Sequence, residues 1–80
     1  MKFTRYFLYT RQRSDRKDIE LAWIQEAIDH PIREEIQSDG RVRRWAQIAE
    51  ASNKYLRVIL LEDRETVHNA FFDRSFDEEV

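Results

Sequence analysis

The chain has 80 residues, with 14 Lys and Arg against 16 Asp and Glu, which gives a formal net charge of −2. This length predicts a single domain of modest stability, and the near balance of charge argues against a strong general nucleic-acid binder. The chain has no cysteine, which excludes disulfides and thiolate metal sites, and we therefore expect a cytoplasmic protein.

The N-terminal residues do not resemble a targeting segment. Met1 to Tyr9 lacks the uninterrupted apolar run and the small-residue cleavage site of a signal peptide. No stretch of the chain approaches the ~20 apolar residues that a membrane-spanning helix needs. We therefore expect no contact with a membrane.

The segment from Arg5 to Arg13 fits two structures. Thr4 is a residue type that caps helices, and a short helix can start there. The run Tyr6-Phe7-Leu8-Tyr9 is also typical of a strand. We favour the helix and keep the strand as the alternative.

The next segment predicts a helix over residues 16–29. Ser14 and Asp15 supply capping oxygens before it. Apolar residues recur at helical spacing within it, namely Ile19, Trp23, Ile24, Ala27 and Ile28. Pro31 disfavours helical geometry at the residue before it, so the helix should end at His30.

After Pro31 the apolar period changes and predicts four strands, at residues 32–37, 41–48, 54–62 and 66–72. A three-residue loop, Ser38-Asp39-Gly40, with Gly40 at positive φ closes the first hairpin. This closure sets Ile36 against Val42, Glu34 against Arg44, Ile32 against Ala46, Glu35 against Arg43 and Arg33 against Trp45. A two-residue loop would set Ile36 against an arginine, so we adopt the bulged closure.

The second hairpin turns through Asp63 and Arg64. Its predicted register sets Leu60 against Val67, Val58 against Asn69 and Leu56 against Phe71. The sequence therefore predicts a single α+β domain over residues 1–80, in which two N-terminal helices pack on one face of a four-stranded antiparallel sheet. We expect the acidic tail, residues 77–80, to be disordered.

One face of this predicted sheet combines cations with aromatic rings. If the helices cover the apolar face, the reverse face carries Arg41, Arg43, Trp45, Tyr55, Arg57, His68 and Phe72. Arginines hold phosphates and aromatic rings stack on bases, so this face suits RNA. The same residue types are enriched in protein interfaces, so it also suits a homodimer. His68 is a candidate general acid or base, because the ordinary pKa of histidine lies near neutrality.

Other kinds of site are not indicated. His30 and His68 are the only histidines, and we predict neither a metal site nor a bound cofactor. A single glycine cannot build a phosphate-binding loop. Asp73 and Arg74 follow the last strand, where they are placed to line a site.

Several motifs resemble those of a known group. The segments "FTRYF", "DIELAWIQEAIDHP", "SDGRVRRWAQI" and "KYLRVILLEDRETVHNAFFDR" are similar to those of a small uncharacterised bacterial family that resembles the BrnT and RelE-type ribonuclease toxins of toxin–antitoxin pairs. The resemblance covers residues 3–74. It implies a RelE-like fold, cleavage of RNA or inhibition of translation, and an antitoxin protein as partner.

RelE-like toxins act through a few Arg, Lys, Tyr or His groups on the open sheet face. By position, the resemblance implies Arg43, Tyr55, Arg57 and His68 as the counterparts of these groups. Of these we assign catalysis to His68, Arg57 and Tyr55, and we assign nucleic-acid or partner binding to Arg41, Arg43, Trp45, Phe72 and Arg74. Two functions stay open at this point. The chain is either a non-enzymatic interaction module, as a homodimer, or an RNA-cleaving toxin or an inactive relative of one.

Overall fold

A computed structural model describes residues 1–78 of the chain. Its elements in chain order are β1 (Lys2–Phe3), α1 (Arg5–Thr10), α2 (Leu21–Asp29), β2 (Arg33–Ile36), β3 (Val42–Ile48), β4 (Lys54–Leu60) and β5 (Thr66–Phe72), with one 3₁₀ turn at Ala49–Ala51. The strands form one sheet in the order β1-β5-β4-β3-β2.

The predicted four-stranded antiparallel sheet is wrong, because the sheet has five strands and is mixed. The additional strand β1 runs parallel to β5, with Lys2 opposite Thr66 and Phe3 opposite Val67. The Thr4 amide continues the pairing by donating to the Val67 carbonyl at 3.0 Å. Two residues are too few for the alternation of side chains that identifies a strand, so β1 could not be predicted from the residue pattern.

The two expected helices are present, but the second is shorter than predicted. Residues 5–10 form α1, where the Oγ1 of Thr4 accepts a hydrogen bond from the Phe7 amide at 3.0 Å and so caps the helix. The predicted start of α2 at residue 16, capped by Ser14 and Asp15, is wrong. Residues 11–18 form successive turns instead, and α2 starts after Glu20 and ends before Pro31, as expected. Ile19 lies in the link between these turns and α2 and is buried there, so its position in the sequence imitated one more turn of the helix.

Both helices bury apolar side chains against the sheet. Ile24 and Ala27 of α2 pack with the inward side chains of β3 and β4, and Phe7 of α1 joins the same core. Leu56, Val58 and Leu60 of β4 are fully buried in its centre. Burial of such side chains is the main favourable contribution to folding. We call the sheet face opposite α2 the open face.

The register of the first hairpin is confirmed. Arg33 lies opposite Trp45, Glu34 opposite Arg44, Glu35 opposite Arg43 and Ile36 opposite Val42. Gly40 adopts φ +90°, in the region that favours glycine. Its amide donates to the Gln37 carbonyl at 2.9 Å, which closes the loop.

The predicted register of the second hairpin is correct only next to the turn. Leu60 lies opposite Val67, but a β-bulge follows and moves the rest of β5 by one residue. Val58 therefore lies opposite Ala70 and Leu56 opposite Phe72. An inserted residue reverses the face of every side chain beyond it. His68 is the extra residue.

Candidate functional site

Four side chains form a continuous row across the open face. Arg33 pairs with Trp45, Trp45 with Arg57, and Arg57 with Phe71. The guanidinium carbon of Arg57 lies 5.4 Å from the centroid of the Trp45 ring and 5.0 Å from that of Phe71. Each such cation–π contact is worth about 0.5–2 kcal/mol, depending on its exposure to water. Arg57 is therefore held between two rings.

Asp73, one residue beyond β5, neutralises Arg57. Its Oδ2 accepts hydrogen bonds from the Trp45 indole at 3.0 Å and from Nε and Nη2 of Arg57 at 3.1 and 2.8 Å. Its Oδ1 accepts from the Ser75 amide and hydroxyl at 3.0 and 2.7 Å. Burial by itself raises the pKa of this carboxyl, but the hydrogen bonds from Trp45, Ser75 and Arg57 outweigh burial and lower the pKa to about 2. Asp73 is a carboxylate at any physiological pH.

The segment after Asp73 turns back across the open face. The Phe76 ring lies 5.1 Å from the Trp45 ring and 4.9 Å from the Tyr55 ring, and the Arg33 guanidinium lies over the Phe76 ring, 4.7 Å from its centroid. The Tyr55 hydroxyl donates to the Glu78 carboxylate at 3.2 Å. Part of the predicted disordered tail, residues 79 and 80, lies outside the described residues.

The structure brings together three of the predicted site residues, Trp45, Tyr55 and Arg57, around Phe76 and Asp73. Arg43 lies one row away on the open face, where its Nε donates to the Gln37 side chain at 3.1 Å. Arg41 lies at the first hairpin, 3.7 Å from the Asp39 carboxylate. Arg74 is exposed and follows Asp73.

Two of the predicted site residues are not where the sequence placed them. The bulge turns Phe72 toward the helix side, where its ring lies 6.2 Å from that of Trp23, so its predicted place on the open face is wrong. His68 lies beside α1, with its Nδ1 3.1 Å from the Thr4 Oγ1 and its ring stacked on Tyr6 at 4.8 Å.

His68 and Arg57 do not form one catalytic centre. Within residues 1–78 the two side chains share no hydrogen-bond or ring partner. Burial lowers the pKa of His68, the nearby charge of Arg41 lowers it further, and Asp39 opposes both. His68 is therefore protonated less readily than an ordinary histidine, and its side chain contacts Thr4 and Tyr6 rather than the Arg57 cluster.

A groove lies at the end of the sheet where β5 ends and β4 begins. It has a volume of about 880 Å³, and its walls include Arg16, Lys54, Tyr55, Phe71, Arg74 and Phe76. The Arg16 guanidinium donates to the Asn69 side chain at 2.7 Å and lies 5.2 Å from the Phe71 ring. These contacts fix Arg16 in the groove wall.

Sequence reasoning missed three residues of this region, Arg16, Phe71 and Phe76. Arg16 was assigned to a helix that starts later, and Phe71 was assigned to the core by the unshifted register. The distribution of charge could have pointed to Arg16, because residues 1–17 contain six of the 14 Lys and Arg residues and only one of the 16 Asp and Glu residues. This imbalance marks the N-terminal segment as a basic surface on an acidic protein.

The described part of the chain offers no metal-binding cluster, since no three His, Cys, Asp or Glu side chains within residues 1–78 converge as ligands would. In the same residues every buried polar side-chain atom has a hydrogen-bond partner. None of the helices in residues 1–78 combines the length and the apolar character that crossing a membrane requires.

Comparisons with protein-family models, with curated proteins and with solved structures found no match to this chain. The resemblance to BrnT and RelE-type toxins therefore stays a prediction from the sequence motifs.

Proposed function

We propose that this chain is a non-enzymatic interaction module that pairs with a second copy of itself through the outer edge of β2. The proposal depends on one observation above all. Within residues 1–78, β2 lies at one border of the sheet and pairs only with β3, and its side chains match those of a second β2 in antiparallel register.

The outer edge of β2 carries backbone groups that pair with no other strand in the part of the chain that the structure describes. The Gln37 amide donates to the Arg41 carbonyl at 2.8 Å, toward β3. Because amide directions alternate along a strand, the Glu35 amide also points toward β3, whereas the amides of Glu34 and Ile36 point away from the sheet. Edge groups of this kind are a template for pairing with another strand.

Apolar residues in β2 and directly before it are exposed. Ile36 is 62 % exposed and Ile32, the residue before β2, is 43 % exposed, and the register places Ile36 on the helix side of the sheet, with Val42. Two large aliphatic side chains at an unpaired edge favour a partner that covers them.

The side chains of β2 complement themselves. An antiparallel pair of β2 strands centred on Glu34 sets Arg33 of one copy against Glu35 of the other, and brings Ile36 to Ile32, the residue directly before β2. The two-fold axis repeats each of these pairs. Cross-strand apolar and opposite-charge pairs contribute about 0.2–1 kcal/mol each. A register centred on Glu35 would instead set Glu34 against Ile36.

The two Glu34 carboxylates that meet at the centre of the proposed strand pair each already have a positively charged partner. Each Glu34 carboxylate accepts from Nε of Arg44 at 2.7 Å and lies 3.7 Å from Arg64. Arg44 in turn donates to the Ile28 carbonyl at 2.8 Å, so this cation is fixed beside Glu34. The two central carboxylates therefore meet with their charge balanced.

The open face supports the non-enzymatic part of the proposal. Arg57 is paired with a carboxylate whose pKa is lowered to about 2, and Phe76 covers the Trp45 ring. A phosphate that approached Arg57 would have to displace Asp73. These contacts stabilise the fold and leave Arg57 without the free charge that binding a phosphate would require.

Sedimentation equilibrium over a concentration series tests the dimer. A four-residue edge belongs to the small, weak class of interfaces, so we expect a reversible monomer–dimer equilibrium rather than a permanent dimer. Ile36→Lys and Ile36→Pro should both abolish it, the first by charge and the second by removing an outward amide. Tyr9→Lys, a change of the same kind at a residue that is 75 % exposed on α1, is the matched control.

Two outcomes would overturn the proposal: a wild-type chain that stays monomeric at millimolar concentration, or a dimer that survives both changes at Ile36. Circular dichroism of each variant establishes that the monomer is folded. A charge exchange adds a positive test, because Glu35→Arg should weaken the dimer and the further change Arg33→Glu should restore it.

RNA cleavage with an antitoxin partner is the alternative function that the sequence motifs imply. The cluster of Arg33, Arg57 and Trp45 on one face is the observation that favours it. It requires Arg57 to exchange Asp73 for a phosphate. Growth arrest on induced expression, relieved by Arg57→Ala or His68→Ala, would support this alternative and count against the interaction module.

A further inference from the structure

We propose that the groove at the end of the sheet binds a small planar aromatic anion, that is, an aromatic ring that carries a carboxylate or a phosphate group. This site is separate from the β2 edge, so the inference does not depend on the dimer. It follows from the size of the groove, the rings in its walls and the charges at its rim.

The size of the groove fits a small ligand. Its volume of about 880 Å³ lies within the roughly 300–1,000 Å³ of typical small-molecule sites. Its walls come from four separate parts of the chain: the turns before α2, the start of β4, the end of β5 and the segment after β5. A site built from several elements has walls that are fixed by the fold.

The rings supply the apolar surface. Phe71 and Phe76 line the groove together with Tyr55. The Tyr55 hydroxyl is occupied by the Glu78 carboxylate at 3.2 Å, so this residue offers its ring rather than its polar end. Aromatic rings prefer offset or edge-to-face contacts with other rings, and these walls therefore favour a planar ligand over an aliphatic one.

Three cations stand at the groove: Arg16, Lys54 and Arg74. Within residues 1–78 no carboxylate lies within ion-pair distance of Lys54 or Arg74. The Lys54 ammonium instead lies 5.5 Å from the Phe72 ring. Two cations with no ion pair on an acidic protein are free to bind an anionic group.

The two carboxylates of the groove do not cancel this charge. Asp73 is committed to Arg57, 2.8 Å away. Asp15 lies 3.2 Å from Arg13 and 3.8 Å from Arg16, so its charge is shared between two arginines. The groove is therefore positive overall, which excludes a cationic ligand and favours an anion.

A matched set of coumarins tests the inference. The probes are 4-methylumbelliferyl phosphate, 7-hydroxycoumarin-4-acetate, uncharged 4-methylumbelliferone and inorganic phosphate. Each is titrated into ¹⁵N-labelled protein, and amide shifts are followed by NMR. We expect the first two to bind with a Kd of about 1 mM or tighter and to shift the amides of Phe71, Arg74 and Tyr55. The first two probes also show whether the phosphate or the carboxylate is preferred.

Substitutions locate the binding. Lys54→Ala and Arg74→Ala should each weaken binding of the anionic coumarins by about 2- to 5-fold, which is the usual contribution of an exposed charged contact. The double substitution should weaken binding by about 10-fold. Arg5→Ala is the control, because Arg5 is an exposed cation outside the groove. Phe71→Leu keeps an apolar side chain and should weaken binding by removing the ring.

Three results would overturn the inference. Uncharged 4-methylumbelliferone that binds as well as its phosphate would show that the cations play no part. If inorganic phosphate binds as well as the anionic coumarins, the aromatic rings of the groove play no part in binding. If Arg5→Ala loses as much affinity as Arg74→Ala, the effect is one of general charge and not of the groove. A normal NMR spectrum of each variant establishes that the variant is folded.

Discussion

We expect the Asp73 carboxylate to contribute more to the free energy of unfolding than any exposed carboxylate of this fold, and the substitution Asp73→Asn tests this. Asparagine keeps the shape of the side chain but replaces one acceptor oxygen with an NH₂ group. Because both oxygens of Asp73 accept hydrogen bonds, the amide must face donors on one side, from Ser75 or from Trp45 and Arg57. The charge that balances Arg57 is also lost.

The expected loss can be calculated in two ways. The pKa of Asp73 is lowered to about 2, against about 3.9 for an unfolded Asp, and this difference corresponds to about 2.5 kcal/mol. Removing one partner of a buried ion pair costs about 3–5 kcal/mol, but the Arg57 side chain is 21 % exposed, so water screens part of the loss. We expect a decrease of about 2–3 kcal/mol in the free energy of unfolding, or roughly 10–20 °C in Tm for a domain of this size.

Urea unfolding followed by tryptophan fluorescence measures this change at pH 7. Asp18→Asn is the control, since Asp18 is an exposed carboxylate and such changes usually stay within about 0.5 kcal/mol. The pH dependence has a fixed sign. The stabilisation is present above the unfolded-state pKa and is lost as the pH falls through the folded-state value near 2, so wild type and variant should converge at acidic pH. A loss no greater than that of Asp18→Asn would refute the reasoning.

Three further outcomes are expected. Gly40→Val should cost about 1–3 kcal/mol, because φ is +90° there and a Cβ would meet the Glu62 side chain; an unchanged melting temperature would contradict this. Because the pKa of His68 lies below its ordinary value of 6.5, its contribution to stability is present above 6.5 and is lost as the pH falls, a slope that His68→Gln should remove in unfolding titrations. Phe76→Ala should shift the tryptophan emission to the red by uncovering Trp45, unless the segment after β5 stays in place without this ring.

Much of the sheet was predictable because its signals are local. The alternation in β3 and the single glycine at Gly40 were sufficient to set the first hairpin, since a loop of fixed length determines its register. Pro31 similarly determined the end of α2. In these places one residue type restricts the backbone by itself.

The candidate site was less predictable because it depends on tertiary structure. The bulge at His68 exchanges the faces of Phe71 and Phe72, and neither residue carries a local mark of that exchange. β1 exists through its pairing with β5, more than 60 residues away in the chain. The pairing of Asp73 with Arg57 follows from the bulge in turn, so one inserted residue determined which aromatic and which carboxylate reached the open face.

The two borders of the sheet differ, and only the β2 border takes part in the proposed pairing. At the opposite border β1 pairs with two of the seven residues of β5, and α1, which follows β1, packs against β5. At the β2 border, pairing with the β2 strand of a second copy would occupy the outer edge. Because the proposed contact joins the same edge of both copies, neither copy has a β2 edge left for a third molecule, so pairing through β2 stops at two molecules and does not extend into a fibre.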